Sequence, residues 1–153
     1  MEKEKGFLKG MFQAWGIPES GKVTLDESTM KQIITAEGIS EEESARLLVE
    51  WAEKLGAIFK SAKLSSSQLR DFFGAARTIQ QRGFTSAKSH RQFILLRPKL
   101  RYAAKRANVL GMNGLQAVLE YAIDQVGEDE ERFKRFMEFF EAILAYHKAY
   151  GGD

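Results

Sequence analysis

The chain has 153 residues, two histidines and no cysteine, with 44% hydrophobic and 29% charged side chains. Such a length supports one domain that buries roughly 70% of its unfolded surface. The composition excludes disulfides and thiolate metal sites, and no apolar run approaches the ~18 residues of a membrane span. The net charge of +2 conceals a segregation. Residues 61–110 hold eleven basic side chains against the single acid Asp71, whereas residues 1–60 carry −3 and residues 111–153 carry −5. A basic middle between acidic ends points to a polyanionic partner, most simply nucleic acid. The plainer reading is a solvated Lys/Arg surface.

The N-terminal MEKEKGFLKGMFQAWG mixes Lys with Glu and does not read as a signal peptide, which fits a cytoplasmic protein. Phe7, Leu8, Met11, Phe12 and Trp15 have the spacing of a short amphipathic helix, broken by Gly16, Pro18 and Gly21. Residues 1–25 are thus either a loosely packed arm or an interaction segment using Phe12 and Trp15, on an otherwise single helical domain.

Asp26 is placed to cap a helix reaching about Glu37, and Ser40 with Glu43 to open a longer one reaching about Phe59. The buried stripe of the second is Ala45, Leu48, Val49, Ala52, Leu55, Ile58 and Phe59; Trp51 falls off it. Ser65 with Gln68 forms a further capping box, predicting a helix over 66–82 with Leu69, Phe72, Phe73, Ala76 and Ile79 inward. At about 100° per residue, Arg70, Gly74, Arg77 and Gln81 fall on one row beside that face. Two arginines with a glycine between them suit a phosphate backbone, and equally an ordinary wet surface.

Past Gly83, Thr85, Ser86 and Ser89 are cap candidates for a helix starting near Ser89, with a kink or break at Pro98. Leu96, Leu100, Ala103, Ala107 and Leu110 read as its core side. Arg97, Arg101 and Lys105 form one outward row, and Lys99 and Arg106 another. Like charges at i, i+4 repel, so the row of three asks for a counter-charge, which a phosphate backbone supplies. Tyr102 lies between the rows, placed either to pack its ring and wet its hydroxyl or to stack on a base. Gly111 and Gly114 read as bracketing a turn before a helix over about 113–125, closed by Gly127. The last helix, reaching about Tyr150, carries Phe133, Phe136, Met137, Phe140, Ile143, Leu144 and His147, widened by Phe139 and Tyr146. So broad a stripe implies either a central helix or a subunit interface through Phe139 and Tyr146.

Nothing in the sequence resembles a P-loop, a dinucleotide fingerprint, a zinc-protease motif or a Gly-x-Ser-x-Gly elbow. His90 and His147 stand alone, and the glutamate groups read as solvated helix faces. The residues therefore predict an all-α, non-enzymatic protein without metal or cofactor. Its basic helices would serve RNA, a helix–turn–helix contact with DNA, or an adaptor's grip on an acidic protein.

Three strings, LSSSQLRDFFGAARTIQ (64–80), ILLRPKLRYAAKR (94–106) and FFEAILAYHKAYGG (139–152), resemble in order and spacing the small subunit of the type III-A CRISPR effector, the Csm complex. The resemblance covers the chain from about Leu64 onward. It implies a compact helical bundle of about five to six helices. It also implies copies stacked along a ribonucleoprotein filament beside the other Csm subunits, touching guide RNA and target RNA without reading sequence. It implies, too, that cleavage belongs to other subunits. The RNA-facing residues it implies are Arg70, Lys99 and Arg106; helical phase and charge add Arg77, Arg97, Arg101 and Lys105. Asp71 departs from the basic or neutral residue expected after Arg70.

Overall fold

The computed structural model describes residues 25–151, and among these every regular element is an α-helix. In chain order they are α1 (Glu27–Thr35), α2 (Glu41–Ser61), α3 (Ser66–Arg82), α4 (Ala87–Ala107), α5 (Leu110–Val126) and α6 (Glu130–Ala149). An all-α bundle is what the helical periodicity predicts. The reading of Phe12 and Trp15 lies outside the described residues.

Side-chain oxygens set most of the helix starts. Thr29 N–H donates to Asp26 Oδ1 at 2.8 Å, and Glu43 N–H to the Ser40 hydroxyl at 3.1 Å. At Ser65 the box is reciprocal: Gln68 N–H donates to Ser65 Oγ and Ser65 N–H to Gln68 Oε1, both at 3.1 Å. Of the three candidates before α4, Ser86 takes the cap, receiving Ser89 N–H at 3.1 Å. Such caps each contribute about 1 kcal/mol by satisfying donors that have no intrahelical partner.

The helices stack in three layers. α3 and α4 pair through a four-residue link, and α6 and α5 lie beneath them. α2 and α1 cover the far side of α5 and α6. α6 is the centre, packing against α1, α2, α3 and α5. Its wide apolar stripe is therefore a central-helix stripe. Phe139 is fully buried and presents nothing to another subunit; Tyr146, half-buried, packs where α6 crosses α2 at Gly56. A Cβ on Gly56 would meet the backbone nitrogen of His147 at 2.7 Å, so the glycine permits that crossing.

A phenylalanine cluster ties the α3–α4 layer to α6. Phe84, in the α3–α4 link, stacks on Phe133 at 4.2 Å; Phe93 of α4 stands edge-on to Phe133 and Phe136, both at 5.2 Å. Phe73 of α3 meets Phe140 edge-on at 5.3 Å. Edge-to-face rings add to what burial alone contributes.

Three local expectations are corrected. α4 runs unbroken through Pro98, because that residue lies on the exposed side. Its missing N–H frees the Ile94 carbonyl on a side where water can serve it. Gly111 and Gly114 lie buried inside α5 rather than bracketing a turn. Gly111 N–H donates to the Ala62 carbonyl at 2.9 Å, and a Cβ there would meet that oxygen and Leu64 at 2.8 Å, so its role is close approach. On α2, Ala45 and Val49 are exposed while Ser44 and Trp51 are buried, rotating the inward face from the one predicted. The Ser44 hydroxyl donates to the Gln32 carbonyl at 3.0 Å, which pulls that side of α2 onto α1.

Candidate nucleic-acid interface

α4 holds Lys88, Arg91, Arg97, Lys99, Arg101, Lys105 and Arg106 and not one acid. Its inward line is Ser89, Phe93, Leu96, Leu100 and Ala104. Burying that line against α6 and α5 leaves every cation on the remaining arc, because charged heads avoid the core. α3 adds Arg70, Arg77 and Arg82 against Asp71, all exposed.

The seven cations predicted from sequence do not form one uniform surface. Arg97 and Arg101 turn toward α5. Arg97 Nη1 donates to Asp124 Oδ1 at 2.6 Å, and Arg101 Nε to Glu120 Oε2 at 3.1 Å, while Arg97 also lies 3.9 Å from Glu120. Glu120 is nearly buried, and Gln116 Nε2 donates to it at 3.0 Å. The counter-charge that the row of three asks for is thus supplied, for two of them, by the chain itself. This pairing had a sequence signal: acids four apart on α5 oppose arginines four apart on α4, in the reverse order antiparallel neighbours require.

Arg77 stands at another edge. It lines a shallow cleft of about 280 Å³ between α3 and α6 with Phe73, Gln80, Lys134, Glu138 and Glu141. The two glutamates offset its field. Arg70, on the same row, donates Nε to the Ser66 carbonyl at 3.4 Å. Gly74 between them opens onto empty space, as the sequence row requires. Arg77 thus lies over the α3/α6 cleft, whereas Arg97 and Arg101 lie over α5.

Lys99, Lys105 and Arg106 are exposed and, among the described residues, have no ion-pair or hydrogen-bond partner; the same holds for Lys88 and Arg91, which sequence reasoning counted as charge but not as site residues. Arg82 reaches across from α3, donating Nη1 to Gln92 Oε1 at 3.3 Å, which holds the two helices in register. His90 places Nε2 3.1 Å from the Gly127 carbonyl and packs edge-on to Phe84. His147 is fully buried with Nε2 2.7 Å from the Leu64 carbonyl, a core role. No group of three His, Cys, Asp or Glu side chains suited to a metal occurs among the described residues, and no helix there is long and apolar enough to cross a membrane.

No curated protein and no solved structure matches the chain. A family model, Csm2 Type III-A, matches residues 42–153, beginning well upstream of the Leu64 at which the string resemblance starts. That span takes in nearly all of α2 and the whole of α3 to α6, including both basic helices and the central one. With most of its length so matched, the chain belongs to the Csm2 type III-A family, the small subunits of the type III-A CRISPR complex.

Proposed function

We propose that this chain is a non-catalytic RNA-binding subunit that grips guide and target RNA through the backbone, leaving sequence recognition to base pairing. The observation that carries the reading is α4: seven cations, no acid, and five of the seven without a partner among the described residues. Five unpaired like charges on one acid-free helix raise a local positive potential, and a ribose-phosphate strand neutralises it. Other RNA-guided effectors divide the work the same way, with protein reading backbone and shape. Lys99, Lys105 and Arg106 form the centre of the contact with Lys88 and Arg91, and Arg70 extends it onto α3. Arg97 and Arg101 flank it, paired with acids of α5, and Arg77 lies over the α3/α6 cleft. The protein neighbours are the other Csm subunits and further copies of this chain, met through surfaces other than Phe139.

Filter binding with several unrelated single-stranded RNAs tests the proposal. Affinity should be similar across sequences and fall steeply with salt, by about 0.7 log units per log unit of salt for each phosphate contacted. Arg70→Ala, Lys99→Ala and Arg106→Ala combined should weaken binding without loss of helicity. Marked preference for one sequence, or indifference to salt, would overturn it.

A further inference from the structure

The chain has four tyrosines, and three are engaged. Tyr121 donates its hydroxyl to the Glu27 carbonyl at 3.4 Å, Tyr150 donates to Glu53 at 2.8 Å, and Tyr146 packs onto α2 at Gly56. Tyr102 is 67% exposed, and among the described residues it makes no hydrogen bond and no ring contact. Most of the residue stands in water, and so exposed an aromatic offers a surface that a ligand would cover.

Its surroundings say which ligand. On a helix the nearest neighbours of residue i are i±3 and i±4. For Tyr102 these are Pro98, Lys99, Lys105 and Arg106, all exposed, and the three cations are all unpaired. One further turn back lie Ile94 and Leu95, 48% and 42% exposed. The outward side of α4 is therefore an apolar ridge, Ile94–Pro98–Tyr102, rimmed by positive charge with no acid on the helix. A protein segment covering the ridge would need acids along both flanks. A single nucleic-acid strand brings a flat apolar base and flanking phosphates in every repeat.

We propose that Tyr102 is a base-stacking residue for stretches of guide or target RNA left unpaired, and that the ridge makes this face prefer unpaired strands over duplex. Lys99 on one side, and Lys105 and Arg106 on the other, take the phosphates that flank the stacked base. A duplex keeps its bases stacked on one another and offers the tyrosine no free π face. Stacking tolerates any base, so the preference is for strandedness and not for sequence. This inference rests on the RNA-binding reading above.

The test compares full-length wild type, Tyr102→Phe and Tyr102→Ala on one 20-nucleotide oligouridylate, its duplex with oligoadenylate, and an abasic ribose-phosphate strand of the same length. We expect Tyr102→Ala to weaken single-strand binding roughly tenfold, Tyr102→Phe to retain it, and neither to change duplex or abasic binding. The salt slope should be the same for all three, because the tyrosine carries no charge. Helicity measured by circular dichroism confirms folding, and an exposed side chain leaves the core intact. Equal single-strand affinity for wild type and Tyr102→Ala overturns stacking while the RNA-binding reading stands. Equal RNA affinity with self-association lost in Tyr102→Ala gives the ridge to a protein neighbour instead. A wild type that holds no RNA at low salt overturns both.

Discussion

Arg132 and Arg135 of α6 each hold a carboxylate and a backbone carbonyl: Glu37 and Gln125 for the first, Glu41 and Ile34 for the second. Lys88, Arg91, Lys99, Lys105 and Arg106 of α4 have neither among the described residues. The two helices use the same side-chain chemistry to different ends. On α6 the arginines staple α1, α2 and the end of α5 to the central helix, so their charge is consumed by the fold. On α4 the charge is left over. A cation with an internal partner helps hold the fold; one without adds to a positive potential that a polyanionic partner neutralises.

The largest effect should come from undocking the free-cation layer. Phe93→Ala removes a fully buried ring that meets Phe84, Phe133 and Phe136, and should cost about 3–5 kcal/mol in urea unfolding. RNA binding should fall with the folded fraction. If binding survives in an unfolded variant, charge alone carries it and the layer's architecture is irrelevant.

Next, Arg135→Ala should lower stability by about 1–2 kcal/mol, because a mostly buried guanidinium loses its Glu41 and Ile34 partners. It should leave RNA affinity unchanged. Lys99→Ala should do the reverse, staying within about 0.5 kcal/mol of wild type in stability while weakening RNA. Equal behaviour of these two variants in both assays would dissolve the contrast between the helices.

Glu120→Gln sharpens it from the intermediate case. Glu120 neutralises Arg101 and approaches Arg97, so the amide should release part of that charge and tighten RNA binding about two- to threefold. The stability loss should stay near 1 kcal/mol or below, since Arg101 is 71% exposed and water screens the pair. Unchanged or weaker RNA binding would show that the α5 edge lies off the RNA path.

The smallest effect belongs to the paired side. Tyr150 donates to Glu53, and that bond, then burial and the adjacent negative charge, hold the phenol above its ordinary range. A folded pKa raised above the unfolded one gives stability that is full below the unfolded value and is lost as pH rises through the folded value. Ultraviolet titration should place one phenol late, and Glu53→Gln should bring it earlier.

Local chemistry made much of this legible in the sequence. Ser65 with Gln68 marks the start of α3, and Gly83 its end, because caps and left-handed glycines act within a few residues. The basic row on α4 was legible for the same reason. What escaped depends on residues far apart in the chain. Gly111 reads locally as a turn glycine, because the neighbours that require it, Ala62 and Leu64, come from another helix end. Pro98 reads as a break, because its exposure is set by tertiary placement. Arg97 and Arg101 share a row with Lys105, and only the reversed spacing of Glu120 and Asp124 marks their pairing with α5. The width of the α6 stripe does not say whether the neighbours of Phe139 come from the same chain.

The most direct measurement is the slope of log Kd against log salt for single-stranded RNA, compared between wild type and a variant carrying Lys99→Ala, Lys105→Ala and Arg106→Ala. Three lost phosphate contacts at about 0.7 each should flatten the slope by roughly two, with folding unaltered. A slope equal to wild type's would contradict the assignment of α4's unpaired cations to the RNA backbone.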